Sequence, residues 1–153
     1  MKNFIKTFIY LSEKYSPLRI FQIMEANKVY IKGKSLEFGA YKNRKKNFST
    51  YLNGKKNFQY TNLKKDKKNN ILEGDLNQKL KFKSNHYQNL IIFNVLEHLS
   101  NPIKSLKELH RILKKGGLLI GSTPFLYQVH GAPNDYLRFT KNYLINEFKK
   151  KKI

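Results

Sequence analysis

The chain of 153 residues contains no cysteine, no tryptophan and ten acidic residues against thirty-one lysines and arginines. Without cysteine the protein has neither a disulfide framework nor a thiolate metal site. The sequence also has no long hydrophobic run. Its most apolar amino-terminal stretch, residues 4–11, is too short and too charged to cross a membrane and has no small-residue cleavage site. We predict an amphipathic helix there, packed on the domain, and a cytoplasmic protein.

The scarcity of acidic residues leaves a formal net charge of +21. A charge of that size attracts polyanions such as nucleic acids. However, the basic residues are spread along the whole chain, and Lys, Asn, Ile, Tyr and Phe are abundant together, which is typical of an AT-rich coding sequence. We therefore favour compositional bias over a dedicated nucleic-acid surface and predict no specific nucleic-acid partner.

The length predicts one domain with a substantial core, because a chain of this size buries roughly two-thirds of its extended surface. Residues 1–32 are predicted as an amino-terminal helical segment packed on the domain, and residues 33–153 as the domain itself. Within the first segment, Ser16 and Pro17 mark a helix start, and Leu18, Phe21 and Met24 follow at helical spacing.

The main domain begins with weaker signals. Short strands are predicted at residues 35–38, 56–63 and 71–73, with a short helix around residues 49–52 in a polar, basic loop. A further helix is predicted at residues 141–149, close to the end of the chain. Strands that alternate with helices indicate an α/β three-layer sandwich around a mostly parallel sheet.

The clearest signal lies between residues 89 and 125. The unbroken apolar run at residues 90–93 predicts a strand buried on both faces. Asn101 and Pro102 then start a helix, Gly116 and Gly117 end it, and residues 118–120 predict a second buried strand. Such a strand–helix–strand unit is right-handed, and its sheet binds ligands at the carboxyl ends of the strands. The polar residues expected at that rim are Asn94, Glu97, His98, Ser122 and Thr123.

These motifs carry a family resemblance. The order Asn-Val-Leu-Glu-His-Leu, Asn-Pro, Leu-Lys-Glu-Leu-His-Arg-Ile-Leu-Lys-Lys-Gly-Gly and Thr-Pro-Phe resembles class I S-adenosylmethionine (SAM)-dependent methyltransferases, most closely the type 11 branch. Residues 130–140 resemble a segment after the fifth strand in one bacterial subset of that branch. The resemblance spans residues 33–148 and implies a Rossmann-like sheet of seven strands. We expect the two carboxyl-terminal edge strands to be absent here.

The resemblance also implies a binding site for SAM as cofactor. Glu37 matches the acid after the first strand and Gly39 the first glycine of the turn that passes under the cofactor. Asn62 stands where an acid commonly binds the ribose, Asp75 where one faces the adenine amino group, and Asn94 lines the same rim. Gly39 alone can equally be a turn glycine, and Asp75 a residue that caps the turn after the third strand.

Two positions depart from the family pattern in the glycine-rich turn. Tyr41 and Asn43 stand where further glycines are expected, and a side chain there collides with a ligand or strains a positive φ angle. We expect Asn43 to tolerate left-handed geometry and Tyr41 to occlude part of the pocket. Asn62 likewise offers an amide where a carboxylate binds hydroxyl groups better.

The loop at residues 125–140 is the predicted acceptor side of the site. His130 is the natural general base, because an imidazole titrates near neutral pH. Asp135, Tyr136 and Arg138 are the predicted substrate-binding residues. The alternative is structural: Asp135 pairs with Arg138 to lock the loop, while Tyr136 and Phe139 fill the core.

Glu97 and His98 raise the question of a metal. Some relatives carry Glu-x-x-Glu-His here and bind a divalent cation with it, and His130 could supply a further ligand. In this chain Asn94, a weaker ligand for a hard cation, replaces the first Glu. We therefore favour Glu97 as a cap of the following turn and His98 as a packed loop histidine, and predict no metal.

Two classes of function remain open from the sequence. The first is SAM-dependent methyl transfer to a small-molecule or glycan-type acceptor. The second is a degenerate, non-catalytic methyltransferase-like domain that binds an anionic partner such as nucleic acid. The motifs between residues 90 and 125 favour the first, while the departures at Tyr41, Asn43 and Asn62 favour the second.

Overall fold

The computed structural model of the protein describes residues 9, 12, 14–55, 57–131 and 133–151. The amphipathic helix predicted at residues 4–11 lies outside the described residues, apart from Ile9, whose side chain is exposed. Across the described residues, no helix is long and apolar enough to span a membrane.

Three α-helices and seven strands are found in the described part of the chain. The helices are α1 (Pro17–Ala26), α2 (Pro102–Ile112) and α3 (Lys141–Lys151). The strands are β1 (Tyr30–Ile31), β2 (Lys34–Glu37), β3 (Asn53–Gly54), β4 (Asn57–Asn62), β5 (Ile71–Glu73), β6 (Tyr87–Phe93) and β7 (Leu113–Ser122). Short 3₁₀ turns lie at Arg44–Lys46, Phe48–Thr50 and Leu96–His98.

Five of the strands form one parallel sheet in the order β5-β4-β2-β6-β7. Strand β2 is central, and its Leu36 pairs in register with Leu90 of β6. Strands β1 and β3 form a separate two-stranded parallel sheet. All carboxyl ends of the main sheet therefore lie at one edge, as the sequence predicted.

The sheet separates two hydrophobic clusters, which gives the three layers. Successive side chains of a strand point to opposite faces. Leu90 and Ile92 accordingly belong to the cluster that includes Leu106 and Leu109 of α2, while Ile91 belongs to the cluster that includes Ile23 of α1. Helix α3 packs beside α2. The predicted α/β three-layer fold with a parallel sheet is confirmed.

The connections between strands are more irregular than predicted. The connection from β6 to β7 contains helix α2, but the described residues between β2 and β4, β4 and β5, and β5 and β6 contain no α-helix. Between β2 and β4, the side chains of Asn43, Asn47 and Thr50 bond to nearby backbone groups. Such bonds compete with helical ones, so this segment forms 3₁₀ turns instead.

Helix α1 begins as predicted. The Ser16 side chain caps the helix at Arg19 N. The buried residues are Ile20, Gln22, Ile23 and Ala26, whereas Phe21, which follows Leu18 at helical spacing, is 52% exposed. The residues Leu18, Phe21 and Met24 and the residues Ile20 and Ile23 both have helical spacing. Which of the two sets is buried depends on the side of the helix that faces the sheet. The division of the chain at residue 32 stays a prediction.

Helix α2 begins as predicted at Asn101 and Pro102 but ends earlier. It ends at Ile112, and β7 starts at once at Leu113. Gly116 does have a positive φ of 72°, but it lies where the pairing of β7 with β6 is irregular. The strand predicted at residues 118–120 lies within β7, but its predicted burial is wrong, because Leu118 is 46% exposed. The reason is that β7 is the last strand of the sheet among the described residues.

Candidate functional site

A cleft of about 840 Å³ opens at the carboxyl edge of the sheet. That volume lies in the range of small-molecule and cofactor sites. Four of the predicted cofactor residues line it, each at or after the end of a different strand: Gly39, Asn62, Asp75 and Asn94. The other walls come from α1 and from the loop after β7, which contributes His130.

Gly39 begins the turn after β2 with a φ of 67°, a conformation that favours glycine. A Cβ atom at this position would lie 3.2 Å from Val95 Cγ2, so the turn passes tightly under the rim. Asn47 closes the turn: its side chain accepts a hydrogen bond from Tyr41 N at 2.7 Å and donates one to Tyr41 O at 3.3 Å.

The backbone at positions 41 and 43 does not require glycine. Neither residue has a positive φ, and Asn43 lies at φ −75°, where its side chain caps Lys45. Asn43 therefore does not adopt the left-handed geometry that it was expected to tolerate. Tyr41 is 55% exposed and lines the cleft, which is where the expected occlusion would arise.

Glu37 lies behind this turn and not in the cleft wall. Its two carboxylate oxygens accept hydrogen bonds from Phe48 N at 2.8 Å and Ser49 N at 3.2 Å. Burial raises the pKa of the Glu37 carboxyl, although these bonds and Arg19 oppose the rise. In this arrangement Glu37 orders the connection that follows Gly39.

Asn62 and Asp75 line the cleft with side chains that are also engaged within the protein. Asn62 Nδ2 donates to Ala40 O at 3.0 Å, and its Oδ1 accepts from Leu63 N at 2.7 Å. The Asp75 carboxylate accepts from Asn77 N at 2.8 Å. The turn-capping alternative for Asp75 is therefore present in the structure, together with its place in the cleft wall.

Asn94 is held by a residue that the sequence did not single out. Gln22 Nε2 donates to Asn94 Oδ1 at 2.7 Å and to Ser122 Oγ at 2.8 Å, and Asn94 Nδ2 donates back to Gln22 Oε1 at 3.3 Å. Gln22 is 5% exposed. A polar residue between Ile20 and Ile23 is the signal that could have found it, once the buried face of α1 was known.

Glu97 does not cap a turn, so that prediction is wrong. The helix cap is the side chain of Asn101, and the 3₁₀ turn Leu96–His98 has no side-chain cap. The Glu97 side chain is instead fully buried, and its Oε2 accepts from Thr123 Oγ1 at 3.3 Å. Burial raises the pKa of this carboxyl, and the neighbouring His98 opposes the rise. Nothing in the local sequence indicates this burial.

His98 and His130 lie side by side, with ring centroids 5.1 Å apart. His98 Nδ1 is 2.6 Å from Asn134 O, so it donates to that carbonyl. His130 Nδ1 is 2.9 Å from Asp135 Oδ2. Each ring therefore presents Nδ1 to an oxygen acceptor, which leaves the lone pair of a neutral imidazole on Nε2.

The predicted substrate-binding residues lie beside the cleft and do not line it. Arg138 donates to both carboxylate oxygens of Asp135, with the NH2–Oδ2 distance 2.7 Å, and the Asp135 side chain is nearly fully buried. The paired guanidinium lowers the pKa of Asp135. The structural alternative is thus found for this pair and for Phe139, which is buried, but not for Tyr136, which is 52% exposed.

A family model matches the part of the chain that forms much of this cleft. The family model of the methyltransferase domain matches residues 40–121, more than half of the chain. That range runs from the turn after β2 to the end part of β7 and includes Asn62, Asp75 and Asn94. No curated protein matches the sequence significantly.

Solved structures show the same fold at low identity. A SAM-dependent methyltransferase from Thermotoga maritima is 21% identical, with a TM-score of 0.62, over 86% of this chain and 69% of that protein. Another from Aquifex aeolicus is 14% identical, with a TM-score of 0.59, over 93% of this chain and 86% of that protein. The extent of the family match and the shared fold show that the chain belongs to the class I methyltransferases, in the type 11 family.

Proposed function

We propose that the protein transfers a methyl group from SAM to an oxygen or nitrogen atom of a small-molecule or glycan-type acceptor. The observation that carries the proposal is the composition of one cleft. Four residues of its walls lie at strand ends, at the positions where the resemblance places cofactor contacts in this family. The same cleft is also lined by His130, a residue able to accept a proton. The proposed cofactor-binding residues and the proposed base thus line the same cleft.

On the cofactor side, the residues present fit a nucleoside-containing ligand. Gly39 leaves room for close approach to the backbone, and Asp75 offers oxygen acceptors for an amino group. Asn62 and Asn94 would hold the ligand through amide groups. Because Asn62 already bonds to Ala40 O and Leu63 N, we expect weaker binding than a carboxylate would give. Glu37 would contribute by ordering the turn.

On the acceptor side, exposed aromatic side chains lie on the same loop as His130. Tyr127 contacts His130 edge to face at 5.3 Å between ring centroids, and Phe125 and Tyr136 are also exposed on this loop. Such rings offer flat apolar faces to a sugar or an aromatic acceptor. Asp135 and Arg138 would act in acceptor binding by holding the loop in place.

SAM, when bound, supplies a methyl group made electrophilic by its positively charged sulfur. The acceptor oxygen or nitrogen would take this methyl group as the carbon–sulfur bond breaks, with the electron pair left on sulfur. Nε2 of His130 takes the proton that the acceptor loses, while Asp135 holds the ring through Nδ1. This pairing of histidine and carboxylate keeps the imidazole in one tautomer.

Calorimetric titration with SAM and with its demethylated product tests the cofactor half of the proposal. We expect saturable binding of both, weakened by Asp75→Asn and unchanged by Asp66→Asn. Asp66 is the matched control, because it pairs with Lys42 outside the cleft wall. Absence of heat and of a thermal shift at millimolar cofactor would contradict the proposal.

The catalytic half is tested with His130→Asn. The asparagine amide can still donate to Asp135 but has no counterpart of Nε2, so folding and cofactor binding should be retained. We expect turnover to fall by about 10²–10⁴-fold, the usual contribution of a general base. The acceptor is first found by screening cell extract for labelled-methyl incorporation. His110→Ala, on the exposed face of α2, is the matched control. Normal turnover by folded His130→Asn refutes the base assignment.

A further inference from the structure

One buried acid is not explained by the proposed methyl transfer. The Glu97 side chain is fully buried, and its Oε1 has no hydrogen-bond partner among the described residues. A buried carboxylate oxygen without a partner is costly, and such groups are rare in folded proteins. Thr123 donates a hydrogen bond to the other oxygen, Oε2, so Thr123 does not serve as a partner of Oε1.

The imidazole rings of His98 and His130 lie near Oε1 of Glu97. Oε1 of Glu97 lies 3.8 Å from Nε2 of His98, beyond hydrogen-bond distance. One ligand-type atom from each of Glu97, His98 and His130 lies within 4.8 Å of the other two. All three residues line the cleft. The cluster therefore combines one carboxylate and two imidazoles at the wall of the cleft.

Both imidazoles are oriented as metal ligands commonly are. A histidine that binds a metal usually donates its other ring N–H to a backbone carbonyl or a carboxylate, which fixes the tautomer. His98 donates from Nδ1 to Asn134 O at 2.6 Å, and His130 Nδ1 faces Asp135 Oδ2 at 2.9 Å. Each ring consequently has its lone pair on Nε2, the atom that remains to bind a cation.

We propose that Glu97, His98 and His130 bind one divalent transition-metal cation of the Zn²⁺ class. Two imidazoles in a set of three ligands favour such a cation over Mg²⁺ or Ca²⁺, which prefer oxygen ligands. Ligand atoms that share one cation at about 2.1 Å lie roughly 3.0–3.4 Å apart, so the cluster closes by about 1 Å on binding. The cation would supply the missing partner of Glu97 Oε1.

A cation at this site would also be in a position to bind the methyl acceptor. Three protein ligands leave at least one coordination position open toward the cleft, where an acceptor oxygen can bind. With the cation present, Nε2 of His130 is a ligand and no longer a proton acceptor, and the cation lowers the pKa of the bound acceptor group instead. The role of His130 as general base then applies to the metal-free protein. Cation binding itself does not depend on SAM.

Titration calorimetry with Zn²⁺ on the chelator-treated full chain, without SAM, tests the proposal. We expect one site per chain and at least about 10–100-fold weaker binding in Glu97→Gln and in His98→Asn, because loss of a hydrogen-bond partner of a ligand alone has an effect of that size. These substitutions keep the contacts with Thr123 and Asn134 available, so they are designed to fold. His110→Ala is the matched control and should bind as the wild type does. Mg²⁺ should bind far more weakly than Zn²⁺.

A second measurement covers variants that fold poorly. Zn²⁺ should raise the melting temperature of the wild type and of His110→Ala, but not that of Glu97→Gln, because a ligand of the native state stabilises it. No binding at about 100 µM Zn²⁺ overturns the proposal, as does equal binding by Glu97→Gln and the wild type. Binding of SAM is measured in a separate titration of the metal-free protein. A protein that binds SAM but not Zn²⁺ would therefore contradict the metal site alone and not the proposed methyl transfer.

Discussion

Replacing Gln22 by alanine should destabilise the fold and disturb the cleft together. Gln22 is the buried residue that joins α1 to the carboxyl ends of β6 and β7, through Asn94 and Ser122. The substitution Gln22→Ala removes three hydrogen bonds at once, two of them short. It also leaves the Asn94 amide with no replacement partner from α1. The Asn94 side chain should then lose its fixed orientation in the cleft wall.

The expected cost follows from these bonds. A neutral hydrogen bond contributes about 0.5–1.5 kcal/mol net, so the loss of two good bonds and one long one should lower the free energy of unfolding by about 2–3 kcal/mol. For a domain of this size, that corresponds to a decrease in melting temperature of about 4–12 °C. We expect weaker SAM binding as well, because Asn94 is a proposed cofactor residue.

Urea denaturation and thermal melting measure the stability change, with Glu25→Gln as the matched control on the same helix. Glu25 forms an exposed ion pair with Lys28, so its loss should change stability by less than about 1 kcal/mol. A double-mutant cycle with Asn94→Gly should give a coupling of about 1–2 kcal/mol. Glycine is chosen because Asn94 has a φ of 53°. Additive effects, or a Gln22→Ala protein as stable as the control, would refute the reasoning.

Three further predictions concern other parts of the molecule. Burial raises the pKa of Glu37, so its contribution to stability is greatest below the unfolded-state pKa of about 4.3 and is lost as pH rises through the folded-state pKa. The stability of the wild type relative to Glu37→Gln, measured by urea unfolding at several pH values, should therefore fall as pH rises, and a constant difference contradicts this. Gly39→Ala should lower the free energy of unfolding by about 1–2 kcal/mol, because φ is positive there and Val95 Cγ2 is close, and should weaken SAM binding; unchanged melting and titration curves would argue against it. Binding of duplex or single-stranded nucleic acid should be weak and should disappear between low and physiological salt, and sequence-selective binding that persists at physiological salt would revive a dedicated nucleic-acid role.

The central part of the fold could be predicted from the sequence because its signals are local. A strand buried on both faces needs a continuous apolar run, and residues 90–93 lie within β6. Strand β5 was predicted with its observed bounds, Ile71–Glu73. The start of α2 was also correct, because Asn101 and Pro102 act through their own side chains and backbone.

Features that depend on distant partners could not be predicted in the same way. The apolar residues 118–120 give the same pattern whether a neighbouring strand covers them or not, so the exposure of Leu118 has no local signal. The buried face of α1 depends on where the sheet lies. The 3₁₀ turns between β2 and β4 depend on asparagine and threonine side chains that bond to nearby backbone groups.

The candidate site likewise contains residues that local sequence predicts and contacts that it does not. Gly39, Asn62, Asp75 and Asn94 follow strand ends, and parallel strands bring their ends together, so sequence order predicts their neighbourhood. The contacts of Glu97 with Thr123 and of Gln22 with Asn94 join residues 26 and 72 positions apart. No pattern within either segment indicates the partner in the other.

The free edge of β7 has a consequence for how the protein behaves in concentrated solution. In the described part of the chain, no strand pairs with the outer side of β7, and such an edge is a template for pairing with another chain. Lysines at positions 114 and 115 and the irregular pairing near Gly116 discourage this at the start of the strand, whereas residues 118–120 carry no charge. Mutual repulsion from the net charge of +21 then keeps molecules apart, and salt screens it. We therefore expect precipitation of this protein to increase with ionic strength.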